Sequence, residues 1–154
     1  MLFKAPDDLR TITFPSMLRT VRNGAFREIK FLCKVVLNEG LEVLGTDELI
    51  PDGKRYPGVF EESGLRDVKL PSTLKRIEYC VFTKCRNLKT VKLPDGLEYL
   101  GKDCFSETGL ERVDFPASLR TVSQGSFSQC ENLRSARFAE GLEVLGTDER
   151  QRDG

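Results

Sequence analysis

One frame of leucines recurs six times along this chain, and it restricts the fold more than any other feature. The frame begins at Leu9, Leu32, Leu65, Leu88, Leu110 and Leu133, at intervals of 23, 33, 23, 22 and 23 residues. Its fourth position is Ile12, Val35, Val68, Val91, Val113 or Ala136, and its sixth is Phe14, Leu37, Leu70, Leu93, Phe115 or Phe138. The tenth is Leu in every copy, and the thirteenth is Val, Leu or Ile. An aromatic closes each complete copy: Phe26, Phe60, Phe82, Phe105 and Phe127. Self-similarity at a period of about 20–50 residues is the signature of a stacked array, in which each repeat is one coil.

The local structure of a coil follows from these spacings. The fourth and sixth positions are two apart, so they share one face of an extended strand. Proline at the seventh position (Pro15, Pro71, Pro94, Pro116) ends that strand and turns the chain. A second short extended piece is expected from the tenth to the thirteenth position. The Phe segment, as in Gly-Ser-Phe-Ser-Gln-Cys at 125–130, reads as a single helical turn. A coil this short buries too little apolar area to fold alone, so its neighbours must cover its open faces. The six first strands are expected to pair in chain order as one parallel sheet, since about 17 residues remain for each crossover, enough for parallel neighbours. Phe60, Phe82, Phe105 and Phe127 are expected to stack as an internal column.

The run Leu-x-x-Val-x-Leu-Pro-x-x-Leu-x-x-Ile-x-x-x-x-Phe-x-x-Cys, clearest at residues 65–87 and 110–132, resembles the BspA-type leucine-rich repeat. The resemblance runs from Leu9 to about Gly146. It implies a right-handed solenoid, mostly β, with a parallel sheet along one side and short second strands and helical turns on the others. It also implies a binding or adhesion module, and it carries no catalytic motif.

A longer order overlies the repeat. Even coils carry Gly-Leu-Glu-x-Leu-Gly at 40–45, 96–101 and 141–146, and EGLEVLGTDE at 39–48 returns 101 positions later at 140–149. The second coil holds eleven extra residues, 48–58, and the last residues match the start of that insertion. Phe3 resembles the closing aromatic of an earlier coil. Residues 1–154 are therefore expected to be a single array of about six coils, an excerpt of a longer array or a truncated member. Open, complementary ends lead to an expectation of head-to-tail self-association.

Enzymatic chemistry finds no support. The chain has no histidine, so no Ser-His-Asp or Cys-His arrangement exists. Its glycines sit at repeat-fixed turns and form no phosphate loop. No cofactor and no metal are expected, because no paired C-x-x-C spacing occurs. Basic and acidic residues balance at 24 each, which argues against nucleic acid as a specific partner. No stretch approaches the length of a membrane span. Five cysteines, an odd number, suit free thiols in a reducing compartment. Together with an amino terminus lacking a signal-peptide run, this favours the cytoplasm, with the cell surface left open for a longer parent chain. Cys85 and Cys130 share a repeat position two coils apart, about 9–10 Å at strand spacing, too far for a disulfide. Cys33 sits at an outward strand position and is the candidate reactive thiol.

Charge is patterned where it can act on a partner. The eleventh position alternates in sign along the stack: Arg19, Glu42, Lys75, Glu98, Arg120, Glu143. This reads as a cross-strand ladder that favours correct stacking. The outward positions of the first strands, the second, third and fifth, hold Arg10, Lys34, Arg66, Lys69, Lys89, Lys92, Arg112, Arg134 and Arg137 against Asp67, Glu111 and Asp114. The strip is net +6 on a neutral chain, which suits docking of an acidic protein partner. It carries no aromatics, which counts against single-stranded nucleic acid. A solvated face with no partner accounts for the same residues. Ile50 and Tyr56 in the inserted loop are candidate anchors, and a passive surface loop is the plainer alternative. The expected function is a non-catalytic interaction scaffold; the alternative is a structural spacer or surface stalk without a ligand of its own.

Overall fold

A computed structural model describes residues 6, 8–46 and 56–146, so Ile50 and most of the inserted loop lie outside the described residues. The described strands are β1 (Thr11–Thr13), β2 (Thr20–Val21), β3 (Lys34–Val36), β4 (Val43–Leu44), β5 (Asp67–Lys69), β6 (Arg76–Ile77), β7 (Tyr99–Leu100), β8 (Arg112–Asp114), β9 (Thr121–Val122), β10 (Ser135–Arg137) and β11 (Val144–Leu145). All pairing is parallel and follows the order of the coils, giving a β-solenoid. The alternation of the frame survives folding: Val35, Val68 and Val113 are buried, while the residues on either side of Val68 and Val113 are exposed.

Two differences from the sequence expectation stand out. The first strands do not make one unbroken sheet. They form β1-β3-β5 on one side and β8-β10 on the other, and coil four contributes only an isolated bridge from Thr90 to Arg112. The continuous sheet is the second one, β2-β4-β6-β7-β9-β11, whose thirteenth positions stay in register from Val21 through Leu44, Ile77, Leu100 and Val122 to Leu145.

The Phe segments are turns rather than helical turns; no helix occurs among the described residues. In a helix each N–H would bond four residues back in its own coil. Here the donors point along the stack instead. Phe26, Phe60, Phe82 and Phe105 donate their amides to the carbonyls of Val59, Val81, Cys104 and Ser126 in the next coil, at 2.8–2.9 Å. Two residues further on, Glu28, Glu62, Lys84 and Glu107 do the same, to Glu61, Thr83, Ser106 and Ser128. That second set, with Gln129, takes left-handed backbone at φ between 54° and 61°. The conformation is uncommon for residues with a Cβ, and the inter-coil bonds hold it in place. The turns thus make a third backbone ladder.

The core runs inside these three ladders. The rings of Phe26, Phe60, Phe82, Phe105 and Phe127 stack in a column with centroids 5.0–5.6 Å apart and planes within 15°. Offset stacking at this spacing adds to the burial of large apolar rings. Phe14 and Phe115 close on Phe26 and Phe127 edge-on. Beside the column, small polar side chains satisfy turn carbonyls. The thiols of Cys85 and Cys130 donate to the carbonyls of Phe60 and Phe105, each at 3.1 Å, and meet Ser63 and Thr108 of the preceding coil. All five cysteines are free. Coils approach so closely at the end of each turn that a Cβ on Gly64 would lie 1.9 Å from the Lys30 carbonyl oxygen, and one on Gly109 would lie 2.4 Å from that of Arg86.

Two predictions follow from this packing. Phe82→Ala or Phe105→Ala should destabilise the chain by roughly 3–5 kcal/mol, and Gly64→Ala should destabilise it by more than Gly146→Ala, whose Cβ would meet nothing within 4 Å. Urea titration of each variant measures this, and an unchanged midpoint for Phe82→Ala would refute the column. The second concerns thiols: burial pushes the Cys85 thiol up to about 12 and that of Cys104 well above its usual range. Cys33 is half-exposed. An aromatic disulfide reagent should label Cys33 first in the folded chain, and Cys85 and Cys104 only after denaturation.

Candidate interaction face

Through coils one to five the fourth and sixth positions of the first strands lie in or against the core, which leaves the third and fifth positions, apart from half-buried Val36, to solvent; in coil six Ala136 and Phe138 are themselves exposed. Every charged residue of the expected strip is exposed: Arg10, Lys34, Arg66, Lys69, Lys89, Lys92, Arg112, Arg134 and Arg137, with Asp67, Glu111 and Asp114 among them. The three acids are each matched by one base. Lys34 pairs with Asp67 at 3.4 Å, Lys89 with Glu111 at 3.8 Å, and Arg112 with Asp114 at 2.9 Å. Arg112 holds Asp114 with both Nε and Nη2, the fork that suits a carboxylate. Among the described residues, Arg10, Arg66, Lys69, Lys92, Arg134 and Arg137 make no ion pair. Tyr56 is 40% exposed and belongs to the inserted loop rather than to the strip.

The break in the first sheet falls where this charge is least balanced. Between coils two and three, Lys34 faces Asp67. Between coils four and five the bridge of Thr90 to Arg112 sets Lys89 against Glu111 and Lys92 against Asp114. Between coils five and six Asp114 faces Arg137. At the junction of coils three and four the repeat frame sets Arg66 against Lys89 and Lys69 against Lys92, two like-charged pairs. There, and only there among the described first strands, no ladder bond forms. Like charges directly opposite are destabilising. At about 5 Å in water each pair costs roughly 0.8 kcal/mol, comparable with the net worth of one backbone hydrogen bond, about 0.5–1.5 kcal/mol. Two such pairs weigh against a short parallel ladder.

The break opens clefts on the face. One of about 690 Å³ is lined by Val36, Val68 and Leu70, by the cations Lys34, Lys69 and Lys92 and by the acids Glu39, Asp67 and Asp95. The Glu39 carboxylate is held below its usual range by hydrogen bonds from the backbone and hydroxyl of Ser72, at 3.1 and 2.8 Å. A second cleft of about 520 Å³ lies between coils four and five, beside Val91, Lys92, Arg112 and Phe115.

Other polar features lie off this face. In the eleventh-position ladder Lys75 meets Glu98 at 3.8 Å and Arg120 meets Glu143 at 3.6 Å, while Arg19 donates to the Gly40 carbonyl. A second ionic line, on the turn side, joins Lys30 and Lys84 to Glu62 and Arg86 to Glu107. On the second sheet, Arg76 donates to buried Glu78 at 2.6 Å and lies 3.9 Å over the Tyr99 ring. The sequence signal for that pair is its spacing of two, which puts both side chains on one face of β6 and its continuation.

The comparisons with known proteins agree with this architecture. The sequence pattern of the BspA type leucine rich repeat region matches residues 1–49 and 55–149, in six copies. No curated protein matches the chain in sequence. Among solved structures, a leucine-rich repeat protein from Bacteroides ovatus shares the fold at TM-score 0.76 and 19% identity, over 90% of this chain and 36% of that one. The leucine rich repeat protein of T. pallidum matches at TM-score 0.70 and 21% identity, over 90% of this chain and 74% of that one. A leucine rich cell surface protein from Faecalibacterium prausnitzii matches at TM-score 0.72 and 21% identity, over 96% of this chain and 36% of that one. The chain therefore spans about a third of the length of the Bacteroides and Faecalibacterium proteins. Six copies of the repeat over nearly its whole length place this chain in the BspA-type leucine-rich repeat family.

Proposed function

We propose that this chain is a non-catalytic interaction scaffold that docks an acidic segment of a partner protein on the first-sheet face. The family is one of repeat scaffolds for protein interaction or for surfaces, and the finer reading rests on one observation. The acids of the strip are each taken up by one base, and six exposed cations remain on one face of the stacked coils. Positive charge gathered on one face steers the approach of an anionic partner. The spacer reading has its own support: the unbroken second sheet and the aromatic column give the array a stiff axis whatever its faces bind.

The two readings part on charge reversal. The triple variant Lys69→Glu, Lys89→Glu, Lys92→Glu changes the strip from net +6 to net zero, since each substitution removes two charges. Binding of a labelled Asp/Glu-rich peptide to the wild-type chain should be tight at low salt and should weaken steeply as salt rises. The triple variant should lose it by two orders of magnitude or more, in keeping with about 1–3 kcal/mol per desolvated charge-assisted contact. A wild-type chain that ignores the peptide at low salt would favour the spacer.

A further inference from the structure

No acid of the strip stands across the like-charged junction of coils three and four. Each acid of the strip faces a base across a different junction; beside the seam, Glu39 is hydrogen-bonded by Ser72 and Thr73 and attracted by Lys69, and Asp95 lines the same cleft. Two pairs of cations, Arg66 with Lys89 and Lys69 with Lys92, therefore face each other across a seam. No backbone hydrogen bond crosses it on this face, and the cleft floor includes Val68 and Leu70. Everywhere else along the described first strands, a neutral or opposite charge stands across the junction and the ladder forms or partly forms.

We propose that this seam is where the acidic partner segment docks, with carboxylates placed between the facing cations, and that docking draws coils three and four together on the first-sheet face. This rests on the scaffold reading above and specifies its site and its coupling. The occupant is an extended segment with acids at alternate positions. Alternate side chains lie about 6.6–6.8 Å apart on one face of a strand, a spacing that long Lys and Arg side chains from the second and fifth positions can bracket. Side chains between the acids, if apolar, meet Val68 and Leu70. A carboxylate between two ammonium groups converts a repulsive pair into two attractive ones, so the same contact that binds the partner removes the cause of the break. Carboxylate rather than nucleic acid is favoured because the strip presents no aromatic for a base to stack on.

The test uses the whole chain and a labelled nonapeptide of alternating Glu and Val. Lys69→Glu puts a fixed carboxylate opposite Lys92, closing the seam from within. It should raise the thermal midpoint and weaken peptide binding by at least about tenfold. Arg10→Glu makes the same change of charge on the same strip at coil one. It should leave the midpoint near that of the wild type and weaken binding by less than about threefold, the effect of a distant charge under screening. A readout independent of any variant is hydrogen exchange of the wild-type chain: saturating peptide should raise protection of the Leu70, Lys89 and Thr90 amides. Equal losses of binding in the two variants, with no gain in midpoint for Lys69→Glu, would overturn the seam while leaving the strip as a binding face. Absence of any peptide binding by the wild type would remove both readings. Displacement of the peptide by a single-stranded oligonucleotide, with higher affinity than the peptide, would overturn the choice of partner.

Discussion

Everything in this structure depends on backbone groups of one coil finding their partners in the next. A coil of about 23 residues has no helix to satisfy its amides internally and no second layer to pack against. Three ladders supply the missing partners: two sets of short parallel strands and the line of Phe turns. The aromatic column runs alongside all three, with ring centroids 5.0–5.6 Å apart, somewhat more than the about 4.7–4.9 Å between hydrogen-bonded strands. Left-handed residues at the turns and the glycines at their ends are consequences of that constraint. They are what a chain must adopt to keep its donors pointed along the stack.

A structure built this way is sensitive to what stands across each junction. Ladder bonds on the second sheet and the turns continue from coil three to coil four, so the array itself is not interrupted. Only the first-sheet face parts, and it parts where Arg66, Lys69, Lys89 and Lys92 meet. The same four side chains supply most of the positive character of the face's centre. Electrostatics that would suit a partner and electrostatics that unsettle the sheet are thus one feature, and a chain selected for stacking alone would place an acid at one of these positions.

Much of this was legible in the sequence. The fourth and sixth positions identified the buried face, so the exposure of the third- and fifth-position strip residues followed from alternation, whereas that of the second-position residues did not. The recurring Phe identified the column, and the shared position of Cys85 and Cys130 two coils apart excluded their disulfide. Other features were not legible, each for a physical reason. Gly-Ser-Phe-Ser-Gln-Cys is compatible with a helical turn and with a turn bonded to its neighbour, because the choice depends on where the next coil's carbonyls lie. The missing strand in coil four cannot be read from coil four, whose Leu-x-x-Val-x-Leu-Pro is the same as that of coil three. It emerges only when charges are compared across adjacent coils. The reach of Glu39 to Ser72 and of Glu62 to Lys84 depends likewise on which side chains the stacking brings opposite each other. Ile50 lies outside the described residues, and the anchor role of the inserted loop rests on sequence alone.

The most direct test of the account is amide hydrogen exchange of the free chain, resolved to single residues across coils two to five. Inter-coil bonding predicts strong protection for the Phe60, Phe82 and Phe105 amides, which bond to the following coil, and for the sixth-position amides of Leu37 and Phe115, which bond to Lys69 and Arg137. The sixth-position amide of Leu70, in the same frame but without the corresponding bond to Lys92, should exchange far faster. Comparable protection at Leu37, Leu70 and Phe115 would contradict the account, because it would mean that the first sheet runs unbroken through the like-charged junction.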